Sequence, residues 1–234
     1  MNKIGLILCA TALIGSTATA QKTKKSTTQK SPLRFGLKAG ANLSHMGVDN
    51  SSSVFNNEKA SFQPGFYAGG LLEISGPAGS KFKGQVEALF NYHNVKNSYE
   101  SIFNNNVYQY NQKTNFMQIS VPVMLKYFVT PSFSINAGLS ANFNIASKTK
   151  ATNTLNSLET TTDNKEKDYL NTFHIGALVG ATYYVYKGFF VDARYNYYFG
   201  TPLNYNSALL PKPKELSAIQ IGVGYKFRYS TTRK

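Results

Sequence analysis

The sequence predicts an all-β fold, an eight-stranded antiparallel up-and-down transmembrane β-barrel. Three observations predict it. Apolar and polar residues alternate in eight separate runs, the pattern of strands whose two faces meet different environments. The runs are joined by connections that are long and short in turn. No stretch of 18 apolar residues occurs anywhere, so no helix is available to span a bilayer.

The 234-residue chain begins with Met1-Asn2-Lys3, continues with an apolar run from Ile4 to Ile14, and then reads Ala18-Thr19-Ala20. A basic start, a short apolar core and an A-x-A site describe a secretory signal peptide over residues 1–20, cleaved to leave Gln21 first. The apolar run is too short for a membrane anchor. Cys9 lies inside that run with no small-residue pair before it, which argues against a lipoprotein signal. It is the only cysteine, so the processed chain has neither a disulfide nor a thiolate metal site. An exported chain without a spanning helix is either soluble or a closed barrel in an outer membrane. Processing removes one lysine and leaves 24 basic against 11 acidic residues, a formal charge of +13. Apart from Lys22, Lys24, Lys25 and Lys30 in a basic periplasmic segment over 21–33, the cations are scattered. Lipopolysaccharide and acidic phospholipid headgroups are the expected counter-charges, and no nucleic-acid motif occurs.

The barrel is expected over 34–229, followed by a tail at 230–234. Its first run sets Phe35, Leu37, Ala39, Ala41 and Leu43 against Lys38, Asn42 and Ser44. The second sets Phe66, Ala68, Leu72 and Ile74 against Tyr67 and Glu73. The third sets Phe82, Val86, Phe90 and Tyr92 against Lys83, Gln85, Glu87 and His93. The fourth sets Met117, Ile119, Val123, Leu125 and Tyr127 against Gln118, Ser120 and Lys126. Pro122 lacks a ladder donor, so a bulge or irregular pairing is expected there. The fifth alternates from Phe133 to Ile145 with serines, asparagines and Gly138 between. The sixth sets Ile175, Ala177, Val179 and Tyr183 against His174, Gly176 and Gly180. The seventh sets Phe189, Val191, Tyr195 and Phe199 against Asp192, Arg194 and Asn196. The eighth sets Ile219, Ile221, Val223, Tyr225 and Phe227 against Gln220, Gly222, Gly224 and Lys226. Helical spacing explains none of these runs. Glycines on the polar face leave room for long side chains opposite.

The polar connections near 45–61, 96–113, 147–170 and 200–215 are long, whereas 75–80, 130–132 and 187–188 are short. With the N-terminus in the periplasm, all long loops face outward. A soluble barrel and a membrane barrel share this period but reverse its faces. Three features favour the membrane. Aromatic residues fall near both ends of the apolar rows: Phe35, Phe82, Tyr127, Phe133, Phe189 and Phe227 at one end, Phe66, Tyr92, Phe143, Phe173 and Phe199 at the other. The apolar rows carry no charge. The polar rows mix both signs: Lys38, Glu73, Lys83, Glu87, Lys126, Asp192, Arg194 and Lys226. Eight strands enclose a lumen just wide enough for side chains, so these eight residues are expected to form a structural charge network.

A catalytic reading of the same row takes Glu73 with Glu87 as a carboxylate pair, or Asp192 with His174 as a partial relay. No nucleophile motif supports it, and His45, His93 and His174 lack metal-ligand spacing. No catalytic, cofactor-binding or metal residue is assigned, and no cofactor is expected.

Several stretches resemble the PorT-like outer-membrane β-barrel family common in Bacteroidetes. They are Phe35-Gly36-Leu37-Lys38-Ala39-Gly40-Ala41-Asn42-Leu43-Ser44, Ile119-Ser120-Val121-Pro122-Val123-Met124-Leu125-Lys126-Tyr127, Asp192-Ala193-Arg194-Tyr195, and the closing run from Ile219 to Phe227. The resemblance covers roughly 34–229 and implies the barrel rather than a particular task. One departure is the end of the chain: such barrels usually close on an aromatic residue read by the insertion machinery, and here seven residues follow Phe227. The expected function is a non-enzymatic integral outer-membrane protein with a structural or loop-mediated binding role at the cell surface. The runner-up is a narrow channel or an accessory component of a secretion system, and a lipid-modifying enzyme ranks last. Expected partners are outer-membrane lipids and lipopolysaccharide, the barrel insertion machinery, and a surface or secretion-system protein.

Overall fold

The computed structural model describes residues 33–49, 56–103, 106–155, 158–164, 171–202 and 212–227. The expected signal peptide, the basic segment up to residue 32 and the tail lie outside the described residues. Nine strands follow in chain order: β1 Leu33–Asp49, β2 Asn56–Ser75, β3 Phe82–Phe103, β4 Asn106–Thr130, β5 Phe133–Leu155, β6 Leu158–Asn164, β7 Phe173–Tyr186, β8 Phe189–Tyr198 and β9 Lys212–Lys226. Eight of them close a barrel. Each of β1 to β5 pairs with the next, β5 then pairs with β7, β7 with β8, β8 with β9, and β9 returns to β1. All pairings are antiparallel. The ninth strand, β6, pairs with the far end of β5 and stands outside the ring.

Alternation acts on this ring in the inside-out sense. Outward side chains are apolar and bare: Val223 is 62% exposed, Leu139 59% and Leu37 59%. Inward ones are polar and covered: Lys126 and Glu73 are each 1% exposed. Water would not tolerate this surface, whereas hydrocarbon would solvate it. Aromatic pairs mark both rims. Phe82 and Tyr127, centroids 5.0 Å apart, and Phe189 and Tyr225, 4.7 Å apart, lie at the short-turn end. Phe66 and Tyr92, 5.3 Å apart, and Phe143 and Phe173, 5.2 Å apart, lie at the other. No helix among the described residues is long and apolar enough to cross a membrane.

The short turns follow from local chemistry. Lys187 (φ 38°) and Gly188 (φ 103°) are both left-handed, the combination that a two-residue hairpin turn needs to match strand twist. Between β4 and β5, Thr130 Oγ1 accepts the Phe133 backbone N–H at 3.0 Å.

One sequence expectation changes and another is narrowed. The stretches read as loops at 45–61, 96–113 and 147–170 are largely strand, with β3 reaching Phe103, β4 starting at Asn106 and β6 inserted at Leu158–Asn164. Once the barrel has set the register, tyrosines and threonines there prolong the ladder, and pairing outweighs the local preference of asparagine for turns. At Pro122 the pairing is irregular, as expected, but without a bulge. Its rungs to β3 are missing between Val86–Val123 and Leu89–Ser120, yet the register is the same on both sides, and Pro122 still pairs Ser140 of β5. One bulge falls in β5, at Ile145: Met117 faces Ala146 while Gln118 faces Asn144. That extra residue inverts the parity of β5, so Ser147 and Thr149 turn inward.

Candidate functional site

Buried polar and titratable side chains converge in the lumen, which is built in layers. At the short-turn end, Glu73 of β2 accepts hydrogen bonds from Lys226 of β9, from Lys83 of β3 at 3.3 Å and from the Tyr184 hydroxyl of β7 at 3.2 Å. Lys126 of β4 donates to Gln85 Oε1 at 3.1 Å and to the Tyr184 hydroxyl at 3.3 Å. Three lysines here face one carboxylate, and Lys126 reaches only neutral acceptors. Lys83 is the most solvated of them, its side chain 21% exposed, with its ammonium 4.3 Å from the Phe128 ring centroid.

One layer further in, the charges balance. Arg194 of β8 grips Glu87 of β3 through two parallel bonds, Nη1 to Oε2 at 2.9 Å and Nη2 to Oε1 at 3.0 Å. The same guanidinium donates to Asp192 Oδ2 at 2.8 Å from Nη2 and 3.0 Å from Nε. Lys38 of β1 donates to Asp192 at 2.7 Å and lies 3.6 Å from Glu87. The Tyr67 hydroxyl adds a bond to Asp192 Oδ1 at 3.4 Å. The layer thus holds two cations and two carboxylates, with all four residues buried. A planar fork on a carboxylate is the strongest geometry available to such a pair. Glycines make the room: a Cβ on Gly222 would meet the Tyr67 hydroxyl at 2.2 Å, and one on Gly224 the Phe190 ring at 2.3 Å.

Beyond these ions the lumen becomes neutral. Asn42 donates to the carbonyls of Phe66 and Tyr92 at 3.1 and 3.2 Å. Gln220 donates to Asn91, and Asn91 to Ser120, each at 2.9 Å. Ser120 donates to Gln118 at 2.9 Å, and Gln118 to Asn144 at 3.1 Å. Ser44 Oγ and His93 Nδ1 lie 2.8 Å apart. An apolar plug of Met46, Val95, Phe116, Tyr198, Leu216 and Ala218 then closes the long-loop end, with the His93 ring 5.1 Å from Phe116 and the His174 ring 5.4 Å from Tyr198.

The eight charged residues singled out from sequence therefore lie in two adjoining clusters. Glu73 and Glu87 belong to different clusters and each is bound by cations. His174 stands at the neutral end, with Nε2 3.2 Å from Gln118 Nε2, far from the Asp192 cluster. Neither arrangement sets a carboxylate as an acid beside a base. Among the described residues no three His, Cys, Asp or Glu side chains converge as a metal site would need. Sequence reasoning left out the Tyr184 hydroxyl, which links Glu73 to Lys126, and the apolar plug. Both were accessible by parity, since Tyr184, Phe116, Tyr198 and Leu216 share the lumen phase of their strands.

Residues 19–201 match the family model described as outer membrane protein beta-barrel domain. Solved structures similar in shape include Ail, the attachment invasion locus protein of Yersinia pestis, at 12% identity and a TM-score of 0.41, covering 83% of this chain and 98% of that one. Neisserial surface protein A is similar at 12% identity and 0.40, with coverages of 83% and 97%. The outer membrane protein OprG from Pseudomonas aeruginosa is similar at 16% and 0.39, with coverages of 86% and 98%. No curated protein matches the chain.

Proposed function

Because the chain belongs to the outer membrane protein β-barrel domain family and is an integral outer-membrane protein, we propose that it is a closed, non-enzymatic scaffold. In this reading the N-terminus is periplasmic, and the long-loop end holds a rigid sheet at the cell surface. The observation that carries it is unequal strand length. About 9–11 residues suffice for a strand to cross a bilayer, and β8 has 10. By contrast β3 has 22, β4 has 25 and β5 has 23. The excess lies at the long-loop end, where β6 extends the same sheet. Paired strands present side chains at fixed spacing, which suits a surface for binding better than flexible cover does. The filled lumen supports the non-conducting part of the reading, since buried ion pairs and an apolar cluster occupy it.

Two measurements test it. Thr161 of β6 is exposed, and Cys9 is the only native cysteine, so Thr161→Cys places a single thiol in the processed chain. A membrane-impermeant maleimide should label it on intact cells; labelling only after permeabilisation would reverse the orientation. In planar bilayers the purified barrel should give no steady conductance steps. Reproducible steps that vanish on changing Arg194 or Lys126 would favour the narrow-channel alternative instead.

A further inference from the structure

On the outward face of the extended sheet, the register places like charges side by side. Lys96 of β3 lies directly opposite Lys113 of β4, and Lys113 lies directly opposite Lys150 of β5. The inward neighbours Val95, Asn97, Thr114 and Thr149 are buried, so the three lysines point away from the lumen. Lys113 and Lys150 are exposed and Lys96 is half-buried. Lys148, also exposed, follows two positions before Lys150 on the same face. In register, Ser61 of β2 stands beyond Lys96 at one end of the row and Asp163 of β6 beyond Lys150 at the other. Like charges directly opposite each other on neighbouring strands destabilise a sheet. Asp163 stands opposite Lys150 only, so the Lys96–Lys113 and Lys113–Lys150 pairings still carry a cost that an external anion would reduce.

Its height identifies the anion. Lys96 follows the girdle residue Tyr92 by four positions along β3, and Lys113 precedes Met117 by four along β4. On a strand tilted about 35–45° this is roughly 10 Å beyond the hydrocarbon edge, at the depth of lipid headgroups. The next outward row, Ser98, Asn111, Thr152 and Thr161, is hydroxyl and amide: Ser98 donates to Asn111 at 2.7 Å, and the Thr152 and Thr161 hydroxyls lie 3.4 Å apart. Cations at headgroup depth, followed by sugar-compatible polar groups further out, fit one class of ligand. We propose that the Lys96–Lys113–Lys150 row is a docking site for the phosphate groups of a phosphorylated glycolipid of the outer leaflet. The inference rests on the orientation proposed above, which puts this face in the outer leaflet.

The test uses the full processed barrel folded in neutral detergent and titrated with bis-phosphorylated lipid A, with bound lipid counted by native mass spectrometry. The triple variant Lys96→Gln, Lys113→Gln, Lys150→Gln should raise the apparent Kd by at least about tenfold, while Lys187→Gln at the opposite end should leave it unchanged. Dephosphorylated lipid A should bind the native barrel as weakly as the triple variant binds the phosphorylated form. Heat-modifiable migration shows that each variant is folded. Equal affinity of native and triple-variant barrels, equal affinity for the dephosphorylated lipid, or equal affinity for phosphatidylglycerol would each overturn the proposal. Detergent removes sidedness from this measurement, so a wrong orientation is detected separately by Thr161→Cys labelling on cells.

Discussion

At the short-turn end the lumen is filled by ions, and at the long-loop end by amides, hydroxyls and an apolar plug. The two fillings bind the wall differently. Lys38 to Asp192, Arg194 to Glu87 and Lys226 to Glu73 join residues more than a hundred positions apart in the chain. Long side chains from β1, β3, β8 and β9 meet in the interior. The neutral end has bonds between adjacent strands, Asn91 with Ser120 and Gln118 with Asn144, and a few longer reaches, Gln220 to Asn91 and Ser44 to His93. Ionic filling therefore braces the barrel with charged pairs, Arg194 to Glu87 spanning from β8 to β3, while neutral filling relies on weaker amide and hydroxyl bonds and on the plug to occupy the middle. The cost of a lost group differs accordingly: a buried ion deprived of its partner is expensive, whereas an amide leaves a smaller debt.

The largest effects should come from Arg194→Met and Phe116→Ala. Arg194→Met strips the bidentate guanidinium from Glu87, leaving it Lys38 at 3.6 Å, and leaves Asp192 with Lys38 and the Tyr67 hydroxyl, so the barrel should lose about 3 kcal/mol. The chain has no tryptophan, so urea unfolding in liposomes is followed by circular dichroism and gel migration. A midpoint unchanged from the native barrel would mean that the cross-brace contributes nothing. Phe116→Ala removes the largest fully buried apolar side chain of the plug and should cost about 3 kcal/mol. If that loss exceeds the loss for Arg194→Met, the neutral end is the stronger brace and the comparison reverses. Gln118→Met keeps the volume but removes the bonds to Ser120 and Asn144. A loss of about 1–2 kcal/mol is expected, and a loss equal to that of Arg194→Met would show that the amides act as one unit.

Parity made the strand centres legible, because a period of two puts Lys38, Glu73 and Arg194 on the face opposite Leu37, Ile74 and Tyr195 wherever the strands lie. It could not reveal the ends. The Asn104-Asn105-Asn106 run reads as a loop by composition, yet the pairing from Lys96–Lys113 to Phe103–Asn106 continues up to it. Nor could it place the Ile145 bulge, since Ala146 and Ser147 carry no turn signal and parity fails silently there. Partner choice in the lumen was illegible for a different reason. Which carboxylate meets which cation depends on the stagger of the closed barrel, and stagger is a property of the ring rather than of any strand. Thus Glu73 and Glu87, only 14 positions apart, end up in separate clusters, whereas Glu87 and Arg194 share a bidentate pair.

The smallest expected effect distinguishes two kinds of ion within the charged end. Lys126 is as buried as Arg194, but its donors meet Gln85 and Tyr184 rather than a carboxylate. Its burial is therefore not offset by direct opposite charge, and Lys83 and Lys226 already hold Glu73. Lys126→Met removes the desolvation cost and two hydrogen bonds to neutral groups together. Those contributions oppose each other, so stability should change by less than about 1 kcal/mol, in either direction. The same unfolding assay reads this change. A loss as large as that from Arg194→Met would show that Lys126 is held by the wider field of Glu73 and Glu87. The short-turn end would then be a single ionic unit, and its two clusters would have to be treated as one.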